Sequence, residues 1–398
     1  MRILVAEDEA ITRRSLARQL EQWGHTITLA EDGELAWERF EAGGFDIVVT
    51  DWEMPRLSGP EFVRRIRQSA GAAYVYIIML TSRSNKSDIV EGIEAGPDDF
   101  VSKPFDREEL RVRLLAGQRV VGLERALNRQ NAELRDANER VRHGLRAAAR
   151  VQRAMLPQGN IVTPRVRTAW TYVPTEELAG DAIGLHLVED RYLVGYVIDV
   201  SGHGVPAALL SVTAMNVMKS LAGAAPPAPG ATAANGRAPV RRPASIATEM
   251  NSRFTAEESD DRFMTMVLCL LDTQTGQFTF SSAGHPPPTI LRGQDPIAVP
   301  DANGLPIAVM AGSEYEDVVV HLKTGDRVFL VSDGILEQSR AGAKGQFGMG
   351  NLMPLLISAA GARIGSLVTD VVDRLAAWAG TKSFADDVSL VAIEWLGP

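Results

Sequence analysis

Residues 1–118 repeat one unit five times, a short apolar run followed by an amphipathic stretch of helical period. The runs are Ile3–Ala6, Thr26–Leu29, Phe45–Thr50, Val75–Leu80 and Phe100–Ser102. Between them lie sets such as Ile11, Leu16, Leu20 and Trp23, and later Phe62, Val63 and Ile66. Apolar runs this short, without strict alternation, suit strands buried on both faces. Strand–helix alternation sustained over five units predicts a doubly wound parallel sheet, an α/β fold whose chemistry gathers at the carboxyl ends of the strands. Polar residues stand at those ends: Glu7 and Asp8 after the first strand, Asp51 after the third, Thr81 and Ser82 after the fourth, and Lys103-Pro104 after the fifth. Three converging carboxylates repel one another unless a cation sits among them, and hard oxygen ligands suit Mg²⁺. A carboxylate beside that ion can attack a phosphoryl group, with a hydroxyl and a lysine to stabilise the added charge.

The phrases around these residues narrow the reading. Val5-Ala6-Glu7-Asp8-Glu9, Thr50-Asp51-Trp52-Glu53-Met54-Pro55, Met79-Leu80-Thr81-Ser82 and Phe100-Val101-Ser102-Lys103-Pro104-Phe105 resemble the CheY-like receiver domain of two-component response regulators over essentially all of 1–118. The resemblance implies Asp51 as phosphoacceptor and Glu7, Asp8, Asp51 and the carbonyl of Glu53 as Mg²⁺ ligands. It also implies Thr81 as switch hydroxyl, Lys103 as phosphate-pairing cation and Phe100 as switch aromatic. Glu7 stands where many members carry Asp.

Residues 119–156 are different in character. They hold 9 basic and 4 acidic residues, whereas 1–118 hold 15 and 21 and 157–398 hold 17 and 25, so a basic segment separates two acidic blocks. Val120, Leu127, Leu134, Val141, Ala148 and Met155 recur every seven residues, a coiled-coil period. The second seam is poor, with Gln130, Ala137 and Gly144. A parallel dimerisation helix is the preferred reading, and a single helix packed on its own catalytic domain is the alternative. No aromatic residues interleave the arginines, so a nucleic-acid site is not expected. Pro157 should stop the helix.

Residues 157–398 read as an α+β domain. Strands are predicted at Tyr192–Ile198, Met264–Leu271, Gln277–Ser281, Val318–Leu322 and Arg327–Val331, and helices at Pro206–Leu221, Ile246–Phe254, Leu352–Ala360 and Ile364–Trp378. Ala222–Ala244, rich in Ala, Pro and Gly and carrying Arg237, Arg241 and Arg242, reads as a surface insertion. Asp181, Asp199, Asp333 and Asp386 stand at strand ends, three of them beside glycine. Hard oxygen donors without cysteine favour Mg²⁺ or Mn²⁺. Two such ions can produce a hydroxide and clamp a phosphoryl group.

Asp199–Leu210, Phe263-Met264-Thr265, Ala283-Gly284-His285-Pro286-Pro287-Pro288, Ser332-Asp333-Gly334-Ile335 and Asp386-Asp387-Val388-Ser389 closely resemble the PPM-type serine phosphatases of the RsbU/SpoIIE group. The stretch Ala149–Pro157 looks like the segment that precedes their catalytic domain. The resemblance implies an αββα sandwich with a binuclear centre of two Mn²⁺ or Mg²⁺ ions. Asp181, Asp199, Asp333 and Asp386 are its implied carboxylate ligands, Val200 gives its carbonyl, and Asp387 is a neighbour that reaches a metal through water. The group usually shows Gly-Asp-x-x-Asp at the first motif, and here Gly184 replaces the second acid. His203 and His285 read as loop-shaping residues rather than catalytic ones.

The expected function follows from both resemblances. A sensor histidine kinase phosphorylates Asp51, and the chain then controls a metal-dependent phosphatase. Its substrate is a phosphorylated partner, a STAS-domain anti-sigma-factor antagonist. The rival is a non-catalytic adaptor that captures a partner, and the retained aspartates speak against it. A transcription factor has little support, because no helix-turn-helix with a basic recognition helix follows the receiver. Cys269 is the one cysteine and lies in an apolar run, which excludes an intramolecular disulfide and suits a buried thiol. The first residues do not read as a signal peptide and no run of apolar residues is long enough to span a bilayer, so a cytoplasmic chain with no membrane partner is expected.

Overall fold

The computed structural model describes residues 1–69, 74–82, 93–222, 240–255, 262–300, 303–340 and 345–398. The chain divides into two compact units, Met1–Arg140 and Val141–Pro398.

In the first unit, β1 (Arg2–Ala6), β2 (Thr26–Ala30), β3 (Ile47–Asp51), β4 (Tyr76–Thr81) and β5 (Asp99–Ser102) form one sheet in the order β2-β1-β3-β4-β5, every pair parallel. Alternate residues of β1 enter two separate cores, Leu4 and Ala6 on one face, Ile3 and Val5 on the other. A sheet covered on both faces explains why these strands are apolar throughout. The helices α1 (Ala10–Gln22), α2 (Gly33–Glu41) and α3 (Gly59–Gln68) follow β1, β2 and β3, and the last two begin at capping residues. Asp32 accepts the Leu35 amide at 2.9 Å, and Ser58 and Glu61 form a capping box ahead of the α3 apolar face.

The long helix α4 runs unbroken from Arg107 to Met155. There is no stop between the last receiver helix and the expected connector at 119, since no Pro or helix-ending Gly intervenes. Leu110, Leu114 and Val121 are buried in the first unit, and Arg125 pairs with the buried Asp46. Near its other end Ala149 and Gln152 are buried in the second unit. The seven-residue repeat therefore does not present one continuous free face. Leu127, Leu134 and Val141 remain 53%, 69% and 61% exposed, while Met155 packs against the second unit's core.

The second unit holds two sheets. One has the order β13-β10-β9-β8-β7, with β14 also on β10, and the other β12-β11-β15-β16-β6. Their principal strands are β6 (Val166–Val173), β7 (Ala182–Val188), β8 (Tyr192–Val200), β9 (Met264–Asp272), β10 (Gln277–Ala283), β11 (Thr289–Arg292), β15 (Arg327–Val331) and β16 (Val388–Trp395). The short β12 (Asp295–Ile297), β13 (Asn303–Gly304) and β14 (Val318–His321) complete the edges. All pairs are antiparallel except β10 with β13. Along β15 the period of two is plain: Val328 and Leu330 join the core shared by both sheets, and Phe329 and Val331 face the other way. Helices α5 (Val205–Ala222) and α6 (Pro243–Arg253) pack on the shared core. Helix α7 (Asp333–Leu336) follows β15, and α8 (Gly348–Ser358) and α9 (Ile364–Ala379) cover the outer face of the second sheet.

The strand ranges read from the sequence did not include β6, β7, β11–β13 or β16. β7 is broken in pattern by Gly184 and His186, and β6 by Thr168, Trp170 and Thr171, so neither shows clean alternation. Most of the predicted insertion Ala222–Ala244 lies outside the described residues. Among the described residues, α5 is long and apolar enough by length and composition to cross a membrane, and here it lies against the core through Ala214, Met215 and Met218.

Candidate functional site

In the first unit, β1, β3 and β5 bring their carboxyl ends to one edge. Glu7 is fully buried, Asp51 is buried and Asp8 is exposed, and ligand oxygens of the three lie within 4.8 Å of one another. Lys103 Nζ bonds Glu7 Oε2 at 2.8 Å and Asp51 Oδ2 at 2.9 Å, so one ammonium bridges two carboxylates. The other Asp51 oxygen accepts the Trp52 amide at 2.8 Å. Burial raises the pKa of Asp51 and of Glu7 above the ordinary carboxylate range, against the pull of Lys103. Burial works to lower the Lys103 pKa, but its bonds to Glu7 and Asp51 outweigh that and leave it raised. Thr81 is buried at the end of β4, and Phe100 is half-buried against the core that holds Trp52 and Met79. Glu53 lines a cleft with Asp8 and Met54.

In the second unit, three aspartates gather around Asp199, the penultimate residue of β8. Asp181 immediately precedes β7, Asp333 opens α7 after β15, and Asp386 lies two residues before β16. Val200 ends β8 and its side chain is buried. Burial, then the charges of Asp333 and Asp386, pushes the Asp199 carboxyl up to about 8, and Asp199 and Asp333 are close enough to share a proton. Asp333 is raised by burial and then by Asp386, and Asp386 by burial and then by Asp387. Asp181, wholly enclosed, is raised well above the usual range by burial and then by Asp199. The Ser389 and Ser332 hydroxyls lie close enough to pull that pKa back down, but neither reaches the Asp181 Oδ2 in hydrogen-bond geometry. A buried carboxylate oxygen without a donor is costly unless a proton or cation meets it. The donor set is all oxygen, the chemistry of a hard divalent cation. The oxygen donors of Asp181, Asp199, Asp333 and Asp386 suit such an ion in chemistry, although among the described residues only Glu7, Asp8 and Asp51 bring three ligand atoms within 4.8 Å of one another.

Asp387 does not join that set. Its Oδ1 accepts the Thr175 amide at 2.7 Å, and its Oδ2 accepts the amides of Gly180 at 2.7 Å and Asp181 at 3.4 Å. Both oxygens accept backbone amides, so Asp387 clamps the loop that carries Asp181. Gly334 makes room for this strand end, since a Cβ there would stand 2.0 Å from the Asp387 carbonyl.

The absent second acid of the first motif also has a local cause. Gly184 pairs with Tyr196 across β7 and β8, and a Cβ at Gly184 would lie 2.1 Å from the buried Tyr196 ring. The ring occupies the space that a side chain at 184 would need.

The two histidines differ. His203 is exposed, with Nδ1 3.3 Å from Glu176. His285 is buried: Nε2 donates to the Val331 carbonyl at 2.9 Å, which leaves Nδ1 to accept from the Thr265 hydroxyl at 2.8 Å. Burial lowers its pKa to about 4, so it is neutral at pH 7 and ties β9 to the end of β15. His285→Leu is expected to cost about 2–4 kcal/mol by leaving two buried groups unpaired. The pH–rate profile measured beside the melting curve should keep its acidic limb, and a lost limb would make His285 a proton donor.

Sequence reasoning missed two buried glutamines. Gln338 accepts the Ala385 amide at 3.0 Å and so holds the Asp386 loop, and Gln152 on α4 meets Ala179. Gln152 lies inside Ala149–Pro157, but its partner is 27 residues away and no local pattern reveals it.

Comparison with known proteins places this geometry. The family described as Stage II sporulation protein E (SpoIIE) matches residues 189–396, and the response regulator receiver domain family matches 3–115. The receiver region is 42% identical over 116 residues to the two-component response regulator PhoP of Pseudomonas aeruginosa, covering 29% of this chain and 51% of that protein. It is 34% identical over 146 residues to the phosphate regulon transcriptional regulatory protein PhoB of Escherichia coli, covering 36% of this chain and 64% of that one. The chain thus spans between about half and two thirds of the length of these relatives. The SiaA-PP2C domain of Pseudomonas aeruginosa shares the fold, with a TM-score of 0.54 at 21% identity over 65% of this chain and 98% of that one. With a SpoIIE match over more than half its length, preceded by a receiver domain, the chain belongs to the SpoIIE family of PPM-type phosphatase domains.

Proposed function

We propose that this chain is a response regulator whose Asp51 phosphorylation controls a metal-dependent phosphoprotein serine/threonine phosphatase. The observation that carries this reading is the convergence of Asp181, Asp199, Asp333 and Asp386, with raised pKa values and an unpartnered buried oxygen on Asp181. Divalent ions held there, Mg²⁺ or Mn²⁺, supply an activated water and neutralise phosphoryl charge. The protein's own residues do the positioning. Asp387 fixes the Asp181 loop through three amides, Gln338 fixes the Asp386 loop, and His285 fixes the end of β15 that leads to Asp333. In the receiver, Lys103 is already paired with Asp51 and is placed to meet a phosphoryl group there, with Glu7, Asp8 and the Glu53 carbonyl as Mg²⁺ ligands.

The finer reading has three parts: a (βα)5 receiver at 1–118, a linker helix at 119–156 and an αββα phosphatase at 157–398. A sensor histidine kinase acts on Asp51, and a STAS-domain anti-sigma antagonist carrying phosphoserine or phosphothreonine is the substrate. The exposed Leu127, Leu134 and Val141 support a homodimer paired through the linker, and the setting is cytoplasmic. The competing adaptor reading predicts no turnover.

The test is hydrolysis of p-nitrophenyl phosphate and of phosphorylated STAS proteins by the full chain in Mn²⁺, with and without beryllofluoride. Metal-dependent turnover that beryllofluoride shifts, in either direction, supports the proposal. No turnover at millimolar Mn²⁺ favours the adaptor. Asp51→Asn is expected to abolish both labelling by acetyl phosphate and the beryllofluoride response, while basal turnover persists. A beryllofluoride response that survives Asp51→Asn would refute control through this residue.

A further inference from the structure

The last turns of α4 do more than lead into the second unit. Gln152 is 2% exposed, although it lies on a helix whose neighbours Arg150, Val151 and Arg153 are exposed. Its Nε2 donates to the Ala179 carbonyl at 2.7 Å, and its Oε1 accepts the Ala179 amide at 3.2 Å. The carboxamide thus treats Ala179 as a strand neighbour would, closing a ring of two bonds. The next two amides, of Gly180 and Asp181, go to Asp387. The Asp181 carbonyl accepts from Ser211 on α5 at 3.0 Å. The Tyr172 hydroxyl donates to the same carbonyl at 3.3 Å, so the backbone that delivers the Asp181 carboxylate is held by four side chains, and α4 supplies one of them. Ala149, one turn earlier on α4, packs with Leu178 and with Ala208 of α5, the helix that follows the Asp199–Gly204 loop.

We propose that Gln152 is a positioning residue for the metal centre, holding the Ala179–Asp181 backbone so that the Asp181 carboxylate is set for a divalent ion. The inference rests on the metal-dependent reading above and adds a residue to it that lies on the connector helix and touches no reacting atom. It also gives the connector a physical handle on the site. Any change in the seating of the last turns of α4 pulls directly on the residue two before Asp181.

Loss of such a supporting contact typically weakens metal affinity by about 10- to 100-fold. Gln152→Leu keeps the side chain's bulk and removes both bonds. In the full chain, Mn²⁺ binding followed by calorimetry and by the Mn²⁺ spin-resonance signal should weaken by about tenfold or more. The Mn²⁺ concentration for half-maximal turnover should rise by the same factor, while kcat at saturating Mn²⁺ stays within about twofold of wild type. Gln152→Glu keeps the acceptor for the Ala179 amide and loses the donor to its carbonyl, so it should fall between the two. It also carries the test if the leucine variant does not fold. Wild-type Mn²⁺ affinity in a folded variant would overturn the proposal, as would a loss confined to kcat. A wild-type chain that binds no Mn²⁺ would instead remove the phosphatase reading and this inference together.

Discussion

Asp199→Asn should abolish Mn²⁺-dependent phosphatase turnover and at the same time make the metal-free protein harder to melt. Asp199 sits at the centre of four crowded carboxyls, and its own is pushed up to about 8 by burial and by Asp333 and Asp386. Removing one member of a constellation that acts as a unit costs roughly three orders of magnitude or more in turnover. Above about pH 8, where the Asp199 carboxyl is charged, the amide variant also removes one of the like charges, and relief of about 1–2 kcal/mol raises the melting temperature of a domain this size by roughly 2–8 °C. An unfolded Asp titrates near 4 (about 3.9), so the folded state holds its proton more tightly than the unfolded one. The contribution of Asp199 to the stability of the metal-free chain is then fullest below about pH 4 and declines as pH rises through about 8. Mn²⁺ should cancel that decline, because it replaces the protons. Melting curves from pH 5 to 8.5, with chelator and with Mn²⁺, test this. A metal-free melting temperature that rises with pH, or an active Asp199→Asn, would contradict the assignment.

Gly184→Asp, which restores the acid usual in this group, should damage the protein rather than improve it. The new Cβ meets the Tyr196 ring, which is buried and lies on the paired strand. Overpacking against the phenol, whose Cζ, Cε1 and hydroxyl stand 2.1, 2.2 and 2.5 Å from that Cβ, costs about 3 kcal/mol. That lowers the melting temperature by roughly 6–12 °C. Trimming the ring should relieve it, so Gly184→Asp with Tyr196→Ala is expected to be more stable than Gly184→Asp alone. Additive losses in the double variant would show that the two positions do not compete for one space.

The parts of the fold that were plain in the sequence are those whose residues see the same environment on both faces. β3 and β4 are buried throughout and β1 in all but Arg2, and their apolar runs mark them without reference to partners. β7 was not legible, because Gly184 exists to accommodate Tyr196, twelve positions away and on another strand. The site aspartates could be named because each interrupts an apolar strand or abuts a glycine. Their division of labour could not. Asp386 and Asp387 are adjacent and identical, and only the backbone path sends one toward Asp199 and the other onto the amides of Thr175 and Gly180. The connector repeat was visible, but which of its positions each unit covers depends on packing that a period of seven does not encode. Val120 is half-buried, Leu127 is bare and Met155 is half-covered.

The continuity of α4 past residue 118 bears on how this molecule can be divided. Asp46 is buried, and its oxygens take the Arg2 amide at 2.8 Å and the Arg125 guanidinium. Gln118 meets His25 at 3.2 Å, and Val121 is 1% exposed. A receiver fragment ended at 118 would uncover an apolar side chain and strip a buried carboxylate of its cation. It would then misreport the stability and phosphorylation behaviour of the domain. Carried to residue 140, the fragment keeps both contacts, and the boundary set by packing is the one that excision should follow.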